Sequence, residues 1–265
     1  MEMEGGVVDS RASQRECRSM GVSLGLVEDV CQTPSSFSRH IKHVDALPSR
    51  ERHKVAVVYV APGQEDKHSI LSLSCASPSF DAFVDGLGWE VVVGQEEGAY
   101  AGGLPSDSPA LYYSSPETEA IFHVSTRMEG DVARKLKHIG NDEVHIVWNE
   151  HWRPYRRETI ATQFCDVLLV VERVSASWVR VRVQTQSPVD VSPLWDGIVI
   201  AEEEAPSLLR AAAFNASRAY RISRQIARPV VHRQEAWEKE TTSLLKVPLA
   251  EGISRLYLPS MAESF

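Results

Sequence analysis

An α/β fold, a central mixed β-sheet flanked by helices, is what three features of this 265-residue chain predict. KVAVVYVA, Lys54 to Ala61, is a continuous run rich in β-branched residues closed by Pro62-Gly63. Such a run marks a strand buried on both faces, as in the parallel part of a sheet. SWVRVRVQ, 177–184, alternates strictly, with Val179, Val181 and Val183 on one face and Arg180 and Arg182 on the other. That is the pattern of a half-exposed, antiparallel strand. Between the two lie stretches whose apolar residues recur at helical spacing. Their order is not a regular βαβ series, so the sheet is expected to mix directions.

Taken in order, residues 1–48 combine Ser, Arg, Gly and acidic residues without sustained periodicity and read as a loosely ordered arm, with a short helix at SLGLVEDV. After the Lys54 strand, SILSLS is expected to form its neighbour. SPSFDAFVDGLG follows, with Ser79 as N-cap, Phe80, Phe83, Val84 and Leu87 on one helical face, and glycines closing the helix. WEVVVG is a further short strand, and 94–113 a Gly- and Ser-rich loop. Ser115, Pro116 and two early glutamates predict a helix over PETEAIFHVSTRM. A second helix, DVARKLKHI, places Val132, Leu136 and Ile139 on one face, with Arg134, Lys135 and Lys137 on others. EVHIVWNE and DVLLVVE are strands. Pro206 opens a closing helix, SLLRAAAFNASRAYRIS, and 226–265 read as a helical extension.

Composition removes several function classes. A net charge of −8 and a pI near 5.6 argue against a nucleic-acid binder held by counterion release. The acidic start MEMEGGVVDS is no secretory signal, and the longest apolar runs are far short of a membrane span. Cys17, Cys31, Cys75 and Cys165 form no CxxC pair, which suits a reducing compartment and a cytoplasmic location.

The chain lacks GxxxxGK[ST], and GQEEGAYAGG has neither Rossmann spacing nor a following amphipathic helix. His138, His145 and His151 match no zinc pattern, so no metal is expected. Cys165 abuts an apolar strand and reads as a small buried hydrophobe. Asn141 remains, in the turn between the basic helix and the strand at Val144. Gly-Asn-Asp after a helix is ordinary stop chemistry. A carboxamide both accepts and donates hydrogen bonds, so it can also position a water for attack on a phosphoryl group. Local pattern leaves both readings open.

KHIGNDEVHIVWNEHWRPYRRETIATQF resembles the central motif of the Rap-type GTPase-activating domain, shared by Rap GAPs, tuberin and the Ral GAP α subunits. HKVAVVYVAPGQEDKHSIL, FDAFVDGLGWEVVV, AIFHVSTRM and PLWDGIVI with LLRAAAFNASRA are similar to successive blocks of that domain. The wording is closest to the catalytic α subunit of the Ral GAP complex. The resemblance implies a catalytic domain over 49–225 in which Asn141 is a thumb inserted into the active site of a bound GTPase. It implies His138 as the thumb's support, Gln64 as a site neighbour, and Arg134, Lys135 and Lys137 on the helix that faces the GTPase. The implied partner is a Ras-family small GTPase, Ral ahead of Rheb or Rap, with a regulatory subunit in the full-length protein. GTP and Mg²⁺ are then carried by the GTPase, and the domain itself needs no cofactor. Residues 1–45 resemble nothing recognisable.

Overall fold

Four parallel strands form the centre of the sheet, and antiparallel strands extend it on both sides. The computed structural model describes residues 42, 50–95, 100–224, 235–236 and 238–239. In chain order the elements are β1 (Glu51–Val60), α1 (Lys67–Leu71), α2 (Pro78–Leu87), β2 (Trp89–Val92), β3 (Pro109–Ser114), β4 (Thr118–Val124), α3 (Val132–Ile139) and β5 (Val144–Asn149). A 3-10 turn (Arg157–Ile160), β6 (Val167–Arg173), β7 (Trp178–Thr185), β8 (Ile198–Ala201) and α4 (Ala205–Ser223) complete the set. The sheet order is β2-β3-β4-β1-β5-β6-β7-β8, and Arg50–Arg228 is one compact unit.

β1 is buried on both faces because it pairs in parallel with β4 on one side and β5 on the other. Its Val55, Val57 and Tyr59 meet Phe80, Phe83 and Val84 of α2 and Leu209 and Ala213 of α4 in one core layer. Ala56, Val58 and Val60 meet Ile70 and Leu71 of α1, Ile139 of α3 and Ile160 of the 3-10 turn in the other. β7 lies antiparallel to β6, with Val179 and Val181 inward and Arg182 paired outward with Glu172.

Several local expectations are overturned. SILSLS is not a strand: Asp66 caps α1, its carboxylate accepting from the backbone of His68 and Ser69. Two apolar residues, Ile70 and Leu71, suffice to bury one helical turn against β1. PETEAIFHVSTRM is not a helix: Thr118–Val124 is β4, buried along its whole length. The Ser-Pro-Glu signal instead builds a hairpin from β3, where the Ser115 hydroxyl accepts from the Thr118 N–H. β3 itself lies inside the stretch read as a loop. α2 begins two residues early, with Ser77 as N-cap and Pro78 in the first turn. Of the N-terminal arm only Lys42 is described, so its helix at 23–30 lies outside the described residues. Of the C-terminal extension, Glu235, Ala236, Glu238 and Lys239 are described and helical.

Candidate functional site

α3 carries the basic residues and ends on the turn that holds Asn141. Asp131 starts it, Oδ1 accepting from the Arg134 N–H at 2.8 Å, and Lys137 and His138 occupy its last turn, where the helix dipole favours cations. Gly140 does not end the helix by turning left-handed: its φ of −67° and ψ of −15° are helical. Space explains the glycine, since a Cβ there would stand 2.6 Å from the Leu136 carbonyl oxygen. The Gly140 carbonyl is in turn held by the Thr162 hydroxyl.

Asn141 follows, exposed to solvent. Its N–H donates to the His138 carbonyl at 3.0 Å, and Nδ2 donates to the Lys137 carbonyl at 2.6 Å. Among the described residues its Oδ1 accepts no hydrogen bond. The amide is thus tethered through its donor end while its acceptor end stays available. Arg134 and His138 share the helical face that leads to Asn141, at one-turn spacing.

The floor beneath this turn is polar and buried. Asp142 is wholly buried, and its Oδ2 lies 2.6 Å from His123 Nδ1. His123 of β4 pairs with Ala56 of β1, which pairs with His145 of β5. Two histidines therefore flank one small alanine in a single row of the sheet, directly under the end of α3. The His123 and His138 ring centroids are 5.3 Å apart, and His145 interacts with the backbone of Ile139 and Asp142. Glu143 anchors the far side of the turn, accepting from Ser217 Oγ of α4 at 2.9 Å.

Burial sets the protonation of these groups. It holds His145 down to about 4 and lowers His138, with His123 as the next cause. It raises the Asp142 carboxyl, against the opposing hydrogen bond from His123. Cys165, buried, is pushed up to about 11, so its thiol is inert at neutral pH.

Two residues of the expected site stand elsewhere. Lys135 does not face outward: it is 3% exposed, and Nζ donates to the carbonyls of Leu73 and Ser125 at 2.9 and 2.7 Å. Its turn of the helix faces inward, and its long stem reaches these two backbone acceptors. Gln64 is not a neighbour of Asn141. It sits past the C-terminal end of β1, bonded to Ala61 N–H and the Ser69 carbonyl. Asn141 precedes the N-terminal end of β5, and the register from Val55↔Val144 to Val60↔Asn149 separates the two ends. Five residues of strand are about 16 Å. Arg134, Lys137, His138 and Asn141 are brought together as expected. His123, Asp142, Glu143 and Thr162 were not foreseen, because their contacts cross between elements far apart in sequence.

A hollow of about 20 Å³ borders His138 and Arg134, lined also by Leu104, Pro105, Met128 and Glu129. It has room for about one water. What this end of the sheet offers is a projecting polar edge.

The comparisons with known proteins bear on that edge. The family model for Rap/ran-GAP matches residues 70–245. Over 189 residues the chain is 44% identical to human Ral GTPase-activating protein subunit alpha-1, covering 68% of this chain and 9% of that protein. It is 28% identical over 217 residues to the tuberous sclerosis 2 protein homolog of Schizosaccharomyces pombe, covering 74% of this chain and 16% of that one. The solved structure of the TSC2 GAP domain superposes with a TM-score of 0.58 at 29% identity, covering 66% of this chain and 100% of that domain. The chain thus spans less than a fifth of the curated relatives' own length. It belongs to the Rap/ran-GAP family.

Proposed function

We propose that this chain is a GTPase-activating domain that stimulates GTP hydrolysis by a Ras-family small GTPase, with Asn141 supplied in trans as an asparagine thumb. The observation that carries the reading is the state of Asn141: exposed, tethered through Nδ2 to a helix end, with Oδ1 directed to no other described group. A carbonyl oxygen held this way accepts a hydrogen bond from the water that attacks the γ-phosphate and fixes its line of approach. Preorganisation matters because the group then needs no reorganisation at the moment of reaction. His138 supports the thumb from the preceding turn of helix. Arg134 and Lys137, both exposed on α3, steer the negatively charged nucleotide-bound partner toward it.

Ral is the favoured substrate, since identity to the Ral GTPase-activating relative is 44% against 28–29% for the tuberous sclerosis 2 relatives. Rheb and Rap are the alternatives. GTP and Mg²⁺ are carried by the GTPase. The relative's description as a subunit supports a regulatory partner in the full-length protein, and the scattered cysteines support a cytoplasmic setting. Among the described residues no helix is long and apolar enough to cross a membrane.

Single-turnover hydrolysis by Ral, Rheb and Rap, each loaded with GTP and Mg²⁺, tests this with and without the chain. The expected result is a large acceleration with Ral and a smaller one with the others. Faster hydrolysis with Rheb or Rap reassigns the substrate. Binding without acceleration of any of them reduces the domain to an interaction module.

A further inference from the structure

His123 and Asp142 form a buried contact that core packing alone does not explain. Their side chains are 1% and 0% exposed, they meet at 2.6 Å, and neither His123 Nε2 nor Asp142 Oδ1 has a hydrogen-bond partner among the described residues. A buried polar pair left half satisfied destabilises a fold relative to a well-packed apolar pair of similar volume. The cluster around the pair is built mainly of apolar residues, among them Ala56, Val58, Ile139, Val147 and Leu168, so apolar residues fit there readily. The polar exceptions, His123, Asp142 and His145, fall under the turn that carries Asn141.

The pair's geometry says what it holds. Asp142 is the residue after Asn141, and His138 lies three before it. His123 touches both: a hydrogen bond to Asp142 and a ring contact to His138 at 5.3 Å. One side chain on a central strand of the sheet therefore braces the thumb turn from either side. β4 is buried along its whole length between β3 and β1, which makes it a rigid base for the purpose. Asn141, by contrast, is exposed, and among the described residues its hydrogen bonds are to helix-end backbone.

We propose that His123 and Asp142 are positioning residues that lock the Asn141 backbone in its reactive place before the GTPase arrives. The inference rests on the thumb reading of Asn141 given above. Neither side chain reaches the partner, so they act on rate through Asn141 rather than on docking. Displacing a reacting group by about 1 Å can cost about 10²-fold in rate.

The test is single-turnover GTP hydrolysis by Ral at saturating chain, alongside half-saturation and thermal melting, for Asp142→Ala, Asp142→Asn, His123→Leu and His123→Asn. Asp142→Asn keeps an oxygen to accept from His123 Nδ1, and His123→Asn keeps a donor near the Nδ1 position. The removal variants are expected to lose about 10–10² in saturating rate with half-saturation changed under about 3-fold. The conservative variants are expected to recover most of that loss. Adding Asp142→Ala to Asn141→Ala is expected to lower the rate no further. Should Asp142→Ala fail to fold, His123→Leu, which leaves the turn's own sequence intact, carries the same comparison. Folded removal variants with wild-type rates overturn the positioning role while leaving the thumb standing, provided Asn141→Ala is inactive. A rate loss that tracks the melting temperature and is not rescued also overturns it. A fully active Asn141→Ala overturns the thumb and this proposal together.

Discussion

Asn141 Nδ2 donates to the Lys137 carbonyl at 2.6 Å, which commits the donor half of the amide to the helix and leaves the acceptor half outward. Truncation and charge substitution should therefore differ. Asn141→Ala is expected to lose about 10²–10³ in saturating single-turnover rate, the worth of one preorganised polar group. Affinity for the GTP-analogue-loaded partner should fall only modestly, and stability by under about 1 kcal/mol at this exposed position. Asn141→Asp should do no better: a carboxylate has no donor for the Lys137 carbonyl and brings negative charge toward phosphate. Binding lost in parallel with rate would make Asn141 a helix stop.

How much of this was legible follows from the range of each signal. The β1 run, the α2 face of Phe80, Phe83, Val84 and Leu87, and the alternation of β7 are local patterns, and each stands where the residues put it. The sequence of β4 reads as a helix because Ser115-Pro116-Glu117 opens a helix or a hairpin equally well. What decided it was pairing of Leu111 with Phe122, invisible in the stretch itself. α1 carries no helical signal because five residues hold too few apolar positions to show a period. At the site, local pattern singles out Asn141 but leaves it open between helix stop and thumb, a choice only the family resemblance makes, and Lys135 reads as solvated because its acceptors, Leu73 and Ser125, come from other elements. His123 gave no sign at all. Its role exists only once the order β4-β1-β5 brings it under a turn 19 residues away.

Lys135 should behave as a structural residue. Lys135→Met keeps most of the apolar stem but leaves the carbonyls of Leu73 and Ser125 without their donor. Buried unsatisfied groups cost about 1–3 kcal/mol each, so denaturant unfolding should show a loss of about 2–4 kcal/mol. Affinity for the GTPase, measured on folded protein, should not change. A variant of wild-type stability with weakened binding would return Lys135 to the docking face.

The acid limb of the stability curve should carry the signature of His145. Its folded pKa is lowered from 6.5 to about 4 by burial. Between those values the unfolded chain binds a proton that the folded chain refuses. Its contribution is therefore complete above pH 6.5 and lost as pH falls toward 4, by at most about 3 kcal/mol. His53 and His138, also lowered by burial, share this sign. Asp142, raised, has the opposite one, losing its contribution as pH rises through its folded value. His145→Asn should thus be less stable than the parent at pH 7 and show a shallower decline from pH 6.5 to 4. Equal slopes in the two proteins would place the titration elsewhere.

The last expectation concerns an arginine finger, the device by which many GTPase activators neutralise transition-state charge. Arg157 is committed within the fold, donating to the carbonyls of Cys165 and Gln184 at 2.6 and 2.8 Å. Arg153 pairs with Glu65 at 2.8 Å and stacks over Trp152, past the C-terminal end of β5 and so at the opposite end of the strand from Asn141. Arg134 lies two turns before the thumb on α3, and at about 1.5 Å per residue its base starts about 10 Å away. Arg221 is drawn toward Glu143 of the thumb turn, 3.6 Å away, but issues from α4 on the other face of the sheet. Arg156 is exposed just before the 3-10 turn. None belongs to the turn itself, whereas Asn141 does. Arg134→Ala, Arg156→Ala and Arg221→Ala, made singly, should each retain far more saturating single-turnover activity than Asn141→Ala. Their losses should appear in affinity and shrink as salt rises, since exposed charges are screened over about 10 Å at 0.1 M. One arginine variant matching the Asn141→Ala defect at saturating GTPase would mean that the thumb shares the nucleotide site with a finger.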